Sequence, residues 1–153
     1  MLIRNTHHIR TATAMDGEAL LGLMKEHALY EGHKLRVIKQ GERLSDPTRL
    51  PLTLFVVESK EELLGYASVT KQFSTWDMDW YLYLDCLYLR EDARGRGIGL
   101  ELMQRLECYA KENGIALIQW QTPSDNASAI GFYLGLGASC REKQRFFWPL
   151  SPQ

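Results

Sequence analysis

Cysteine is scarce, charge of one sign is in no excess, and no long apolar run interrupts the 153 residues. Three cysteines, Cys86, Cys108 and Cys140, are too few and too scattered for a disulfide framework or a zinc site, and they predict reduced thiols. Eighteen Lys and Arg against nineteen Asp and Glu leave a net charge of −1, without the basic excess of a nucleic-acid-binding domain. Nothing approaches the run of about 18 apolar residues that spans a membrane. Met1 to Thr13 lacks the apolar stretch of a secretory leader, so a cytoplasmic protein is expected. His7, His8, His27 and His33 show no metal-ligating spacing; they read as surface residues, and no metal is expected. No repeat, low-complexity tract or linker divides the chain, so residues 1–153 read as a single domain.

What is present is a core. Hydrophobic residues make up 45% and charged residues 24%, the balance of a soluble globular chain long enough to bury an interior. Ile9 to Thr13 reads as a short strand. Asp16 offers an N-cap to a helix carrying Leu20, Leu23, Met24 and Ala28 at helical spacing. A second short helix fits within the polar stretch Glu31 to Pro51. Leu54 to Val57 is a continuous apolar run suited to a strand covered on both faces. Leu63 to Thr70 returns as its hairpin partner, Phe73 to Trp80 reads as an aromatic and acidic loop, and Tyr81 to Leu89 as a third strand of the group. A helix from Leu100 to Tyr109 stops at Asn113-Gly114; a strand (Leu117–Thr122), a short helix (Ala127–Leu136) and strand material over Cys140–Trp148 complete the order β-α-(α)-β-β-β-α-β-α-β. That order is a mixed α/β layered domain.

Chemistry concentrates in Arg94-Gly95-Arg96-Gly97-Ile98-Gly99, between a strong strand and a strong helix. Alternating glycines let the backbone turn tightly and approach a ligand. The next helix opens with unpaired amides at the positive end of its dipole, and Arg94 and Arg96 add mobile positive charge. The result is a phosphate cradle, or else a glycine-rich connector with exposed arginines. It is not a P-loop, because Gly99 is followed by Leu100-Glu101, and it is not a dinucleotide fingerprint, because the third glycine comes one position early.

Leu84-Asp85-Cys86-Leu87-Tyr88-Leu89 followed by that loop resembles the acetyl-CoA-binding signature of the GNAT superfamily of N-acetyltransferases, and Asn126 to Ala138 resembles its second signature. The resemblance covers nearly the whole chain. It implies a mostly antiparallel central sheet flanked by helices, acetyl-CoA as acyl donor, a small-molecule amine as partner, and a homodimer. Lys25 to Glu31 and Tyr81 to Leu84 are similar to the diamine (spermidine/spermine and thialysine-type) branch.

By the same resemblance, Asp85 handles the amine proton and Tyr133 protonates the departing thiolate. The diamine branch places Glu then Asp where this chain has Asp85 and Cys86, so relay through water is expected. Apart from those roles, Asp85 could serve as a strand-end partner for an arginine, and Tyr133 could simply pack. Leu87 and Leu89 are implied to offer backbone groups to the pantetheine arm. Gly95, Gly97, Ile98 and Gly99, with Arg94 and Arg96, are expected to hold the pyrophosphate. Asn126 either bonds the arm or caps its helix, and both can hold. Trp76, Asp77, Asp79 and Trp80 form a cation-attracting cluster or a solvated loop, and Glu26 and Glu31 a second acidic patch. A protein or peptide acetyltransferase and a non-catalytic acyl-CoA sensor are the competing functions.

Overall fold

A computed structural model of the chain describes residues 6–35 and 37–151; the first five residues of the N-terminal stretch considered for a leader lie outside them. The backbone divides into two compact units, residues 1–121 and 122–153.

The first unit is a five-stranded sheet in the order β1 (His7–Thr11), β2 (Thr53–Ser59), β3 (Glu62–Ser74), β4 (Asp79–Leu89), β5 (Ile118–Trp120). The first four strands are antiparallel neighbours and β5 lies parallel to β4. This is the mixed α/β class expected, with helices flanking the sheet. Between β1 and β2 come α1 (Gly17–Glu31) and α2 (Val37–Arg43), and α3 (Ile98–Glu112) makes the crossover from β4 to β5. The apolar run of β2 serves both faces, as a doubly covered strand must. Leu54 and Val56 join Leu20 and Leu23 of α1 in one core cluster with Tyr66 and Tyr88, while the Phe55 ring meets Tyr109 of α3 edge-on at 5.3 Å. Helix α3 buries Ile98, Leu102, Met103, Leu106 and Ala110, a single stripe at helical spacing.

Strands β3 and β4 run further toward their hairpin tip than the sequence suggests. The turn is confined to residues 75–78, because Lys71 to Ser74 and Asp79 to Leu82 pair in continuous register although their side chains are largely polar or exposed. Asp79 and Trp80 are therefore strand residues rather than loop residues.

In the second unit, α4 (Ala127–Gly135) is capped by Asn126, whose Oδ1 accepts the Ala129 amide at 3.2 Å. The strand expected over Cys140–Trp148 does not form: these residues are exposed and carry no regular structure. A strand exists only where an adjacent edge takes its backbone hydrogen bonds, and hydrophobicity alone does not supply that edge. Among the described residues no helix is long and apolar enough to cross a membrane.

Helix α1 is anchored at its start by a buried carboxylate. Asp16 receives two guanidinium N–H bonds from Arg10 of β1, at 2.7 and 2.9 Å, and the Thr13 amide at 2.6 Å, and Arg10 also bonds Glu58 of β2 at 2.8 Å. Hydrogen bonds from Arg10 hold the Asp16 carboxyl below its ordinary value, outweighing the opposing effect of burial. Its contribution is complete above the unfolded value near pH ~4 and is lost as pH falls through the lower folded value. Asp16→Asn is expected to cost about 2 kcal/mol at pH 7 and to flatten the acid side of the stability profile below pH ~4, measured by urea unfolding across pH.

Candidate active site

The register between β3 and β4 slips at one place. Ser68 opposes Cys86 but Val69 opposes Leu84, so Asp85 is the extra residue of a β-bulge. A bulge re-aims its side chain, and Asp85 stands exposed in a strand whose neighbours Leu84 and Tyr88 are buried. The Cys86 amide finds its partner in the Ser68 hydroxyl at 3.1 Å.

On its other side, among the described residues, β4 is paired only as far as the bulge. The parallel β5 opposes Leu82, Tyr83 and Leu84 and ends there. Beyond it, the Arg90 amide donates to Leu64 of β3 at 2.9 Å. With the two-residue alternation of an antiparallel ladder, Tyr88 also turns its backbone groups toward β3, and Leu87 and Leu89 turn theirs away. Arg94 Nε reaches the Leu89 carbonyl at 2.9 Å from that outer side. Leu87 and Leu89 thus present a strand edge beside the bulge.

The glycine loop lies at the carboxyl end of β4. Gly95 (φ 73°) and Gly97 (φ 78°) adopt the left-handed conformation, and a Cβ built on either would meet nothing within 4 Å. Only the backbone angles, not crowding within the chain, require glycine there. Gly97 is the N-cap of α3 and carries no side chain to satisfy the first-turn amides of Ile98, Gly99 and Leu100, which face outward at the positive end of a 15-residue helix. Bare amides, a helix dipole and open space are what a phosphate group requires. Glu101, the one acid in that first turn, is bonded by His7 Nε2 at 2.6 Å.

Arg94 is not the mobile cation expected. Besides its bond to Leu89, its guanidinium lies over the Tyr30 ring at 4.6 Å and the Tyr88 ring at 5.6 Å, because flat aromatic faces attract a weakly hydrated cation. The loop is therefore tied to the end of α1. Arg96 also has a partner within the protein.

The two acidic patches separate. Glu26 and Glu31 lie toward the end of α1, which packs on β3 and reaches Tyr88 through His27; Glu26 pairs with Arg90 at 3.5 Å and Glu31 with His27 at 3.1 Å. Trp76, Asp77, Asp79 and Trp80 occupy the far hairpin tip, where Trp76 is 96% exposed and Trp80 rests edge-on against Phe73 at 5.4 Å. Asp79 and Asp85 are six residues apart on one strand, which is about 20 Å at strand rise. The structure does not gather the tip cluster around Asp85.

Tyr133 and Asn126 belong to the second unit. Tyr133 is half-buried on α4, its ring 5.3 Å from that of Phe132. Asn126 is a helix cap, one of the two roles its residue type allows.

Two of the histidines depart from the surface placement expected of them. His27 is buried, not a surface residue, with Nδ1 2.6 Å from the Tyr66 hydroxyl and its ring stacked on Tyr88 at 4.9 Å. The His7 side chain is likewise only 5% exposed. Position 27 continues the buried stripe of Leu20 and Leu23, a signal that helical spacing did carry. Cys86 lies against this cluster, and burial, reinforced by the Asp85 carboxylate, pushes its thiol up to about 11.

Comparison with known proteins shows the family and the fold. The model of the acetyltransferase (GNAT) family matches residues 18–138. Thialysine N-epsilon-acetyltransferase of Caenorhabditis elegans is 29% identical, over 82% of this chain and 78% of that protein. D-amino-acid N-acetyltransferase of Saccharomyces cerevisiae is 27% identical, over 82% and 80%. Among solved structures, a possible acetyltransferase from Clostridium difficile 630 superposes with a TM-score of 0.80 at 15% identity, covering 96% of this chain and 99% of that one, a likeness of fold.

With its thiol at about 11, Cys86 holds roughly 100-fold less thiolate at neutral pH than an ordinary cysteine. Cys108 and Cys140, both exposed, are expected to be alkylated well before it, read by peptide mass spectrometry over a time course at pH 8.

Proposed function

The chain belongs to the acetyltransferase (GNAT) family and is an N-acetyltransferase, and from that premise we infer that it moves an acetyl group from acetyl-CoA to a primary amine of a small molecule. The observation that carries this reading is the strand edge at Leu87 and Leu89, lying between a bulged carboxylate and a glycine-capped helix N-terminus.

Acetyl-CoA would supply the activated acetyl thioester. The amides of Gly95 to Gly99 suit its pyrophosphate, which the α3 dipole would favour, with Arg94 and Arg96 beside them. The outward backbone groups of Leu87 and the Leu89 amide suit an amide-bearing arm laid along the edge like an added strand. A backbone N–H on that edge would also donate to a carbonyl oxygen as charge builds on it. In the second unit we assign Asn126 to the same arm and Tyr133 to protonating the departing sulfur, a role open to a tyrosine hydroxyl.

An alkylamine with a pKa near ~10.4 arrives protonated at neutral pH, so a base must take one proton before nitrogen can attack. Asp85, exposed at the bulge, is that base, acting directly or through one water. Glu26 and Glu31 of α1 are the acidic groups we assign to attract the cationic substrate. The C. elegans and S. cerevisiae relatives bear, in their names, small amine substrates, which supports a small molecule over an extended peptide. Three free cysteines suit a reducing, cytoplasmic setting.

Release of thiol from acetyl-CoA, measured with a panel of diamines, polyamines and amino acids, tests the function. Turnover with at least one small amine is expected; no release with any of them would favour an acyl-CoA sensor. Gly97→Val tests the cradle, since a β-branched residue does not adopt a φ of 78°. CoA binding measured by calorimetry is expected to weaken at least about ten-fold, and unchanged affinity would move the pyrophosphate elsewhere.

A further inference from the structure

Besides the tyrosines, the buried polar residues among those described are Asp16, His27 and Ser68. Asp16 holds the start of α1 through Arg10, and His27 is bonded to the Tyr66 hydroxyl. Ser68, 4% exposed, lies in the buried run 63–69 of β3, where alanine would pack without the cost of a buried hydroxyl. Its Oγ accepts the Cys86 amide at 3.1 Å.

That bond falls where the β3–β4 ladder restarts after the slip. Ser68 opposes Cys86 and Val69 opposes Leu84, so Asp85 stands outside the ladder. The backbone on each side of it is held. Leu84 has partners in both β3 and β5, and beyond the bulge the Arg90 amide reaches the Leu64 carbonyl at 2.9 Å. Between those fixed points the freedom of the strand concentrates in the peptide unit that joins Asp85 to Cys86. A trans peptide carries its N–H and C=O on opposite sides, so an amide held by Ser68 sends the Asp85 carbonyl away from that hydroxyl. The same bond restrains ψ of Asp85 and φ of Cys86, the torsions flanking the unit. Cys86 Sγ, 3.8 Å from Asp85 Oδ2, adds a thiol donor to the carboxylate from the anchored residue.

Resting on the acetyl-transfer reading, we propose that Ser68 is a positioning residue for the carboxylate that deprotonates the amine: its buried hydroxyl locks the 85–86 peptide of the bulge and thereby aims Asp85. The extra residue of a bulge has no ladder partner, so its direction is set by whatever holds the backbone beside it. Ser68→Ala leaves a buried amide without this acceptor, and the peptide unit turns to find another. The pairs Ala67–Leu87, Tyr66–Tyr88 and Gly65–Leu89 keep the strand edge in register, and the glycine loop lies beyond them. The loss therefore falls on proton removal and not on the grip on acetyl-CoA.

The test compares the parent protein with Ser68→Ala, with Asp85→Asn, and with Tyr109→Phe, which removes a hydroxyl 3.1 Å from that of Thr53, between α3 and β2. On an amine the parent accepts, kcat is expected to fall at least about ten-fold in Ser68→Ala, with KM for acetyl-CoA within about two-fold of the parent. A larger fall is expected in Asp85→Asn and none in Tyr109→Phe. A second readout needs no turnover: amide hydrogen exchange followed by NMR, taken as the rate at Cys86 relative to that at Val57, which lies in the register with β1 and β3. General destabilisation moves both rates together, whereas loss of the anchor is expected to raise the ratio about ten-fold in Ser68→Ala. A parent without turnover on any amine removes the acetyl-transfer reading, and a kcat that survives Asp85→Asn removes Asp85 as the base; in either case the exchange ratio still decides the anchor. An undiminished kcat in Ser68→Ala, an equal fall in both hydroxyl variants, or an unchanged exchange ratio overturns the positioning role.

Discussion

Among the described residues, strand β4 is paired on both sides only as far as Leu84, and the candidate site is built on the residues beyond that point. A backbone N–H or C=O must be satisfied somewhere, and an unpaired strand edge invites another extended chain. Here the bulge at Asp85 turns β4 away at the point where β5 ends. The departure leaves the Leu87 and Leu89 groups facing outward and brings the carboxylate of Asp85 to the surface beside them. The crossover from β4 through α3 to β5 puts the helix N-terminus at the carboxyl end of the same strand, where ligands of parallel β-α-β units collect. Edge, carboxylate and helix dipole converge because one pair of strands separates.

The glycine loop is legible in the sequence because positive φ leaves a mark on residue identity: Gly95 and Gly97 adopt it, and few other residues do. The strands and the two long helices are legible for a related reason, since burial of one face imposes a period on the apolar residues. The bulge leaves no mark. Leu82, Leu84 and Tyr88 are buried on an even spacing that looks unbroken, and a slip in register is a property of two strands, not of either alone. For the opposite reason the hairpin looks too short in sequence, since Lys71 and Gln72 are polar strand residues on an exposed extension. Cys140–Trp148 has the apolar content of a strand without the ladder. His27 is ambiguous because histidine is at home on a surface or in a satisfied core, and only Tyr66, distant in sequence, decides between them.

Helix α1 carries more of the site than its weakly patterned sequence suggests. Its start is fixed by Asp16 against Arg10, and its end by His27 against Tyr66 and Tyr88. Held at both ends, it brings Tyr30 under the guanidinium of Arg94, so that the glycine loop, the last residues of β4 and the acidic end of α1 share one support. Arg94 stands where a cation for a phosphate is useful, but the structure employs it as a strut whose charge is spread over two rings.

The thiol at position 86 fits that economy of charge. A second carboxylate there would sit among Tyr66, Ser68 and Asp85, largely removed from water, and two adjoining acids would raise each other's proton affinity until one stayed neutral. Cys86 is neutral by burial at any physiological pH, yet its thiol still donates toward Asp85 Oδ2 at 3.8 Å. Asp85 therefore faces a neutral neighbour at the bulge rather than a second carboxylate. The residue pair that departs from the diamine pattern is thus self-consistent: a shorter acid re-aimed by the bulge, and a neutral partner that links it to the interior.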